Sequence, residues 1–195
     1  MNRFRFIATS AIILTSLFLA DCGRRENEEA KHSESMAQSV HPSANNSVAG
    51  IRWNVPSSWT KREAGSMRIA TYATPQAEGD TEAGECAVFY FGSNQGGDVD
   101  ANIDRWIGQF EQGSSHNVSS KELNGLSVKM VQVAGAYLAP GGPAMQSQGS
   151  KENYLLLGAI VTAPEGFVFF KLTGPAKTIA TAENDFNSLI NSLQK

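Results

Sequence analysis

Two tight-turn signals in the second half of the chain separate period-two apolar segments, and they decide how any sheet built from those segments must run. Asn124-Gly125 divides residues 118–123 from 126–137, and Pro164-Glu165-Gly166 divides 154–162 from 167–173. Asn-Gly supplies the two left-handed residues that a two-residue hairpin needs, while proline and glycine set the second turn through restricted and permissive φ. Strands joined this closely run antiparallel, because parallel neighbours need a crossover of about a dozen residues or more. The chain is therefore expected to form an α+β domain around an antiparallel sheet of about six to seven strands, not a doubly wound nucleotide-binding fold. No glycine-rich phosphate loop follows any of these segments.

The earlier part of the domain carries the same period. Residues 51–55 alternate apolar and polar until Pro56 stops them. Residues 66–74 read as a further strand, with Met67 and Ile69 on one face and Arg68 and Tyr72 on the other. Residues 86–91 are apolar on both faces, the pattern of a central strand covered on each side. Two amphipathic helices can supply that cover. Val99, Ile103, Trp106, Ile107 and Phe110 recur at helical steps behind Asp98 and Asp100, with Gly113 beyond the end. Ile179, Ala182, Phe186, Leu189, Ile190 and Leu193 form a second stripe behind Gly174-Pro175, a strand stop followed by a residue suited to the first helical position. The expected architecture is a sheet with helices on both faces.

Upstream, Arg3 and Arg5 precede an apolar stretch over 6–20, the layout of an export signal. That stretch is shorter than the ~20 residues a spanning helix needs, and Arg24, Arg25, Glu26, Glu28 and Glu29 follow at once. Residues 23–50 hold no aromatic side chain. Too little apolar surface is available there to offset ordering, so a disordered tether is expected, with a reach on the order of 30 Å. His32 and His41 within it lack the companion ligands of a metal site. The expected division is a signal over 1–21, a lipidated N-terminus and tether over 22–50, and a globular domain over 51–195, long enough for one ordinary core.

Leu19-Ala20-Asp21-Cys22-Gly23 resembles the lipobox of bacterial lipoproteins. The resemblance implies a diacylglyceryl group on the Cys22 thiol, cleavage that makes Cys22 the new N-terminus, and a fatty-acyl anchor in the membrane of the cell envelope. Asp21 departs from the family, which has a small residue at that position; ordinary secretion and a retained signal anchor are the other readings of this N-terminus. Gly23 after the cysteine implies the periplasm-facing outer membrane if the cell is Gram-negative. Cys86 is the only other cysteine, so a lipidated Cys22 leaves no disulfide to support the fold. Losing Arg3, Arg5 and Asp21 with the signal removes one net positive charge and moves the formal charge from −3 to −4, which gives no electrostatic footprint for nucleic acid.

The domain also resembles the PsbP-like fold, an antiparallel sheet sandwiched between helices. The residues that carry the resemblance are Trp53-Asn54-Val55-Pro56-Ser57-Ser58-Trp59, the helix around Trp106, and the closing Phe186, Leu189, Ser192 and Leu193. It spans most of 51–195 and implies a non-enzymatic binding or assembly module with no shared catalytic motif.

Few residues offer chemistry of their own. Cys86 and His116 are the only thiol and imidazole for a nucleophilic pair outside the tether and Cys22, but Cys86 falls in the most apolar segment and reads as structural. Glu78, Asp80 and Glu82 have the first spacings of a calcium loop; Ala83 and Phe89 stand where that loop needs glycine and a bidentate glutamate, so a solvated acidic turn with Glu85 is expected. Trp53 and Trp106 belong to apolar stripes, which leaves Trp59 as the candidate surface aromatic. Tyr137 and Tyr154 flank a polar loop over 139–153, longer than the usual hairpin connection. Trp59, Tyr137 and Tyr154 are therefore the candidate partner-binding residues, with Cys22 the lipidation site and no metal or cofactor expected. The functional expectation is a membrane-tethered, non-enzymatic envelope module that binds a protein or other envelope component. A small-ligand or lipid carrier, which requires an apolar cavity between sheet and helix, is the alternative, and a hydrolase with a dispersed site is a third.

Overall fold

The computed structural model describes residues 46–65, 67–138 and 149–195. Cys22, the signal, most of the tether, Ser66 and most of the loop over 139–153 lie outside the described residues.

Seven strands form one antiparallel sheet: β3 (Thr60–Arg62), β4 (Arg68–Ala73), β5 (Glu85–Tyr90), β6 (Ser115–Leu123), β7 (Leu126–Leu138), β8 (Ser150–Ala163) and β9 (Gly166–Pro175). Their spatial order is β3-β4-β5-β9-β8-β7-β6. The two turn signals join β6 to β7 and β8 to β9 as hairpins, with Leu123 opposite Leu126 and Ala163 opposite Gly166. Asn124 and Gly125 both have positive φ, 51° and 75°, as that turn requires. The apolar segment over 86–91 falls almost wholly in β5, an interior strand paired with β4 on one side and with β9, the middle strand of the seven, on the other.

Helix α1 (Val99–Ile107) opens on Asp98, whose carboxylate accepts from the Ala101 N–H at 3.0 Å, and its C-cap is Gly108, five residues before Gly113. Helix α2 (Ala176–Asn191) starts one residue after Pro175, which ends β9 and occupies the N-cap, not the first helical position. Residues of β8 alternate between two hydrophobic clusters. Leu155, Leu157, Ala159 and Val161 lie with Ile179, Phe186, Leu189 and Ile190 of α2. Tyr154, Leu156 and Ile160 lie with Ile103 and Trp106 of α1. The strand alternation of side chains produces this division.

Two sequence expectations change. Residues 51–55 do not extend into the sheet: β2 is only Ile51–Arg52, and it pairs with β1 (Ser47–Val48) through Ala49 and Gly50, both at positive φ. Residues 46–50 therefore pack with those after 51, with Ala49 buried and the Asn46 side chain accepting from the Tyr72 hydroxyl at 2.8 Å. In β4, Arg68 and Tyr72 do not share a face. The register with β5 shifts between Arg68 and Ala70, and a one-residue shift exchanges the faces of everything beyond it. Tyr72 enters the α2 cluster, whereas Arg68 lies over the ring of Phe89, which packs with the α1 cluster.

Candidate functional site

Between α1 and the sheet, above β4, β5 and β9, is a pocket of about 420 Å³, within the size range of small-molecule sites. Its apolar wall includes six aromatic residues: Phe89, Phe91, Trp106, Tyr137, Tyr154 and Phe169. Trp106 meets Phe169 edge to face, with centroids 6.4 Å apart. Gly158 on β8 allows this: a Cβ there would stand 2.4 Å from the Trp106 ring, so glycine lets α1 set its indole directly on the strand.

Tyr137 and Tyr154 are brought together as parallel rings, 5.6 Å between centroids and 1° between planes. They are not an exposed edge. Only 8% and 7% of their surfaces are accessible, and they form part of the pocket wall. The chain after α1 fixes Tyr137: Leu138 N–H donates to the Gln109 carbonyl at 2.8 Å, Glu111 N–H to the Ala136 carbonyl at 2.9 Å, and Phe110 packs on the Tyr137 ring. Trp59 lies elsewhere, buried against Tyr72 in the α2 cluster, with the neighbouring Ser58 hydroxyl donating to Asp185 of α2. It therefore joins neither the tyrosine pair nor the surface.

The polar part of the pocket is cationic. Four basic side chains, Arg68, Arg105, Lys151 and Lys171, face two acidic ones, Glu82 and Glu85, in a chain whose formal charge is −3. Arg68 is paired with Glu85 and Lys151 with Glu82, each at 2.8 Å. The Tyr154 hydroxyl also donates to Glu82. These donors, Lys151 first and then Tyr154, hold the Glu82 carboxyl below its usual range, and Glu82 in turn raises Lys151. Lys171 and Arg105 have no carboxylate at salt-bridge distance among the described residues.

Lys171 is the residue that sequence reasoning missed. It follows Phe167 and Phe169 along the side of β9 that faces α1, and its ammonium donates to Gln109 Oε1 and, at 3.3 Å, to the Tyr137 hydroxyl. The same ammonium sits 5.4 Å from the Tyr137 ring centroid. Burial pushes its pKa down to about 8, with Arg68 adding to the shift. The available signal was a lone lysine in Phe167-Val168-Phe169-Phe170-Lys171-Leu172, a run apolar enough to be covered on both faces.

The other candidate chemistry is dispersed. Cys86 is fully buried and its thiol is pushed up by burial, away from the reactive thiolate. His116 is exposed on β6, four strands from β5 in the sheet order, roughly 19 Å at the usual strand spacing. The acidic turn is engaged piecemeal: Asp80 accepts from Thr178, the Glu78 carbonyl accepts from Lys177, and Glu82 and Glu85 serve the pocket. Among the described residues, no three His, Cys, Asp or Glu side chains converge as metal ligands, and no helix is long and apolar enough to cross a membrane.

No family model and no curated relative matches the sequence. Solved structures of similar arrangement include the following three proteins. Cyanobacterial PsbP from Synechocystis sp. PCC 6803 is 10% identical, with 74% of this chain and 86% of that one covered and a TM-score of 0.46. LpqN, described as involved in cell envelope biogenesis of Mycobacterium tuberculosis, is 13% identical over 74% and 82%, at 0.47. PA94 from Pseudomonas aeruginosa, a protein of unknown function described as a putative regulator, is 8% identical over 69% and 94%, at 0.41. At this level of similarity no residue role passes from those proteins to this chain.

Proposed function

We propose that the chain is a non-enzymatic binding module of the cell envelope, tethered to the membrane through Cys22, with one helix on each face of its sheet, and that it holds a small molecule in the pocket beside α1. The aromatic pocket carries this reading: it supplies the cavity between sheet and helix that a carrier requires, and it gathers Tyr137 and Tyr154 into one wall. Its ionisable groups are engaged by ion pairs, hydrogen bonds or ring contacts, an arrangement suited to holding a ligand in place. Anchoring through Cys22 keeps the domain near the membrane surface, where it meets its ligand.

The test is native mass spectrometry of the full chain purified from its own membranes. A bound small molecule, removable by organic extraction and lost in Thr173→Phe, is the expected result, because Thr173 lines the pocket and a ring there fills it. Retention of the same mass by the filled variant sinks the pocket reading. In the same preparation the mature N-terminus should begin at an acylated Cys22, with Cys22→Ala in the soluble fraction; an unmodified N-terminus elsewhere removes the tether from the proposal.

A further inference from the structure

The charge pattern of the pocket narrows what it accepts, and this step rests on the small-molecule reading above. Two of its four cations are neutralised internally, Arg68 by Glu85 and Lys151 by Glu82. Lys171 and Arg105 have no carboxylate at salt-bridge distance among the described residues. An ammonium set among aromatic rings with only neutral hydrogen-bond partners is costly to keep charged. A hydroxyl and an amide oxygen satisfy its protons without cancelling its charge. A bound anion would cancel it.

We propose that the pocket binds an amphipathic organic acid, with a ring-bearing apolar body against Phe89, Phe91, Trp106 and Phe169 and a single carboxylate or sulfonate head on Lys171, with Arg105 as the second cation. The aromatic walls suit a ring-bearing body, since aromatic rings in offset or edge-to-face contact gain more than the burial of their area alone provides. One enclosed ammonium with one further guanidinium matches a monoanion. A polyphosphate would bring more charge than these two groups balance. Lys171 is then a specificity-determining residue: a neutral analogue of the same shape fills the pocket but leaves its ammonium uncompensated.

A matched pair of fluorescent probes tests this on the intact domain. 1-Anilinonaphthalene-8-sulfonate and N-phenyl-1-naphthylamine share one ring skeleton and differ by the sulfonate. The wild type should hold the sulfonate at least tenfold more tightly, and excess 2-naphthoate should displace it where 2-naphthamide does not. Lys171→Met should bring the two probes within about threefold of each other without weakening the neutral one, and Arg105→Gln should reduce the preference by a smaller factor.

If Lys171→Met fails to give a cooperative melt, the pH dependence of wild-type binding replaces it. The groups facing Lys171 are Arg68 from β4, Glu85 from β5, Arg105 and Gln109 from α1 and the segment after it, Tyr137 from β7, and the Lys151–Tyr154–Glu82 cluster. Burial brings Lys171 into the range between pH 7 and 10, so the preference for the sulfonate should decline across it while binding of the neutral probe holds. Equal binding of both probes, with no response to Lys171→Met or to pH, overturns the anion assignment and leaves the pocket reading standing. Binding of neither probe, nor of either naphthyl competitor, overturns both.

Discussion

Lys171 is an expensive residue for the folded chain, and its cost has a sign that can be measured. Burial moves its pKa from 10.5 to about 8. The folded value lies below the unfolded one, so between about pH 8 and 10.5 the unfolded chain binds more protons and stability rises with pH. Below pH 8 both states are protonated and the full desolvation cost remains. Lys171→Met should therefore melt higher than the wild type at pH 7, by about 2–4 °C for each kcal/mol recovered in a domain of this size, and the gap should close toward pH 10. A variant that melts lower at pH 7 would mean that the bonds to Gln109 and Tyr137 outweigh desolvation. Stabilisation on removing a charged group is the pattern of a residue kept for binding at the expense of stability. Gly158 shows a different residue-scale dependence: nothing in its sequence neighbourhood announces that Trp106 will lie against it.

Helix α2 shows how an element can depend on a distant loop. Its N-cap is Pro175, which offers no side-chain bond, and its first turn holds no acidic residue. The missing acceptor comes from Asp80, whose carboxylate takes the Thr178 N–H at 2.8 Å and the Thr178 hydroxyl at 2.6 Å. This is a cap supplied in space, placed near the positive end of the helix dipole. Asp80→Ala should cost about 1 kcal/mol in urea unfolding, with a smaller loss for Asp80→Asn; no change would mean that solvent caps the helix equally well. The start of α1 was easier to read, because Asp98 and the apolar stripe lie within the segment itself; its end was not, since the stripe runs on to Phe110 and Gly113 while the helix closes at Ile107 with Gly108 as its C-cap. The bulge in β4 was not, since it is a property of the pairing with β5 and leaves no mark on the period of β4 alone.

Across the whole molecule, the two helices differ in length. Helix α2 has 16 residues, ~24 Å, and packs in the larger of the two buried clusters. Helix α1 has nine, ~13.5 Å, and its Trp106 is set against Gly158 of β8. The aromatic surface of β5 and β9 beyond it is left to line the pocket. The β1–β2 hairpin and its bridge from Arg52 to Gln194 bring residues 47–52 against the last residues of the chain. A protein starting at residue 51 should accordingly melt several degrees below one starting at residue 46, since it loses the strand pairing, buried Ala49 and the Asn46–Tyr72 bond. Equal melting temperatures would show that the hairpin contributes nothing to the core.

Amino-acid order alone was enough to set the antiparallel winding, because Asn124-Gly125 and Pro164-Glu165-Gly166 are too short to permit anything else, and to mark both helices, because their stripes are local and periodic. It also singled out Tyr137 and Tyr154, although as loop flanks. Packing was needed to stack those rings inside a pocket, to turn Trp59 inward, to bring Asp80 to the start of a helix 98 residues away, and to leave Lys171 with no carboxylate at salt-bridge distance among the described residues. Each of these depends on which strands become neighbours and on how far a helix reaches across them. Such non-local distances follow from packing all the elements together, so no local period or spacing encodes them.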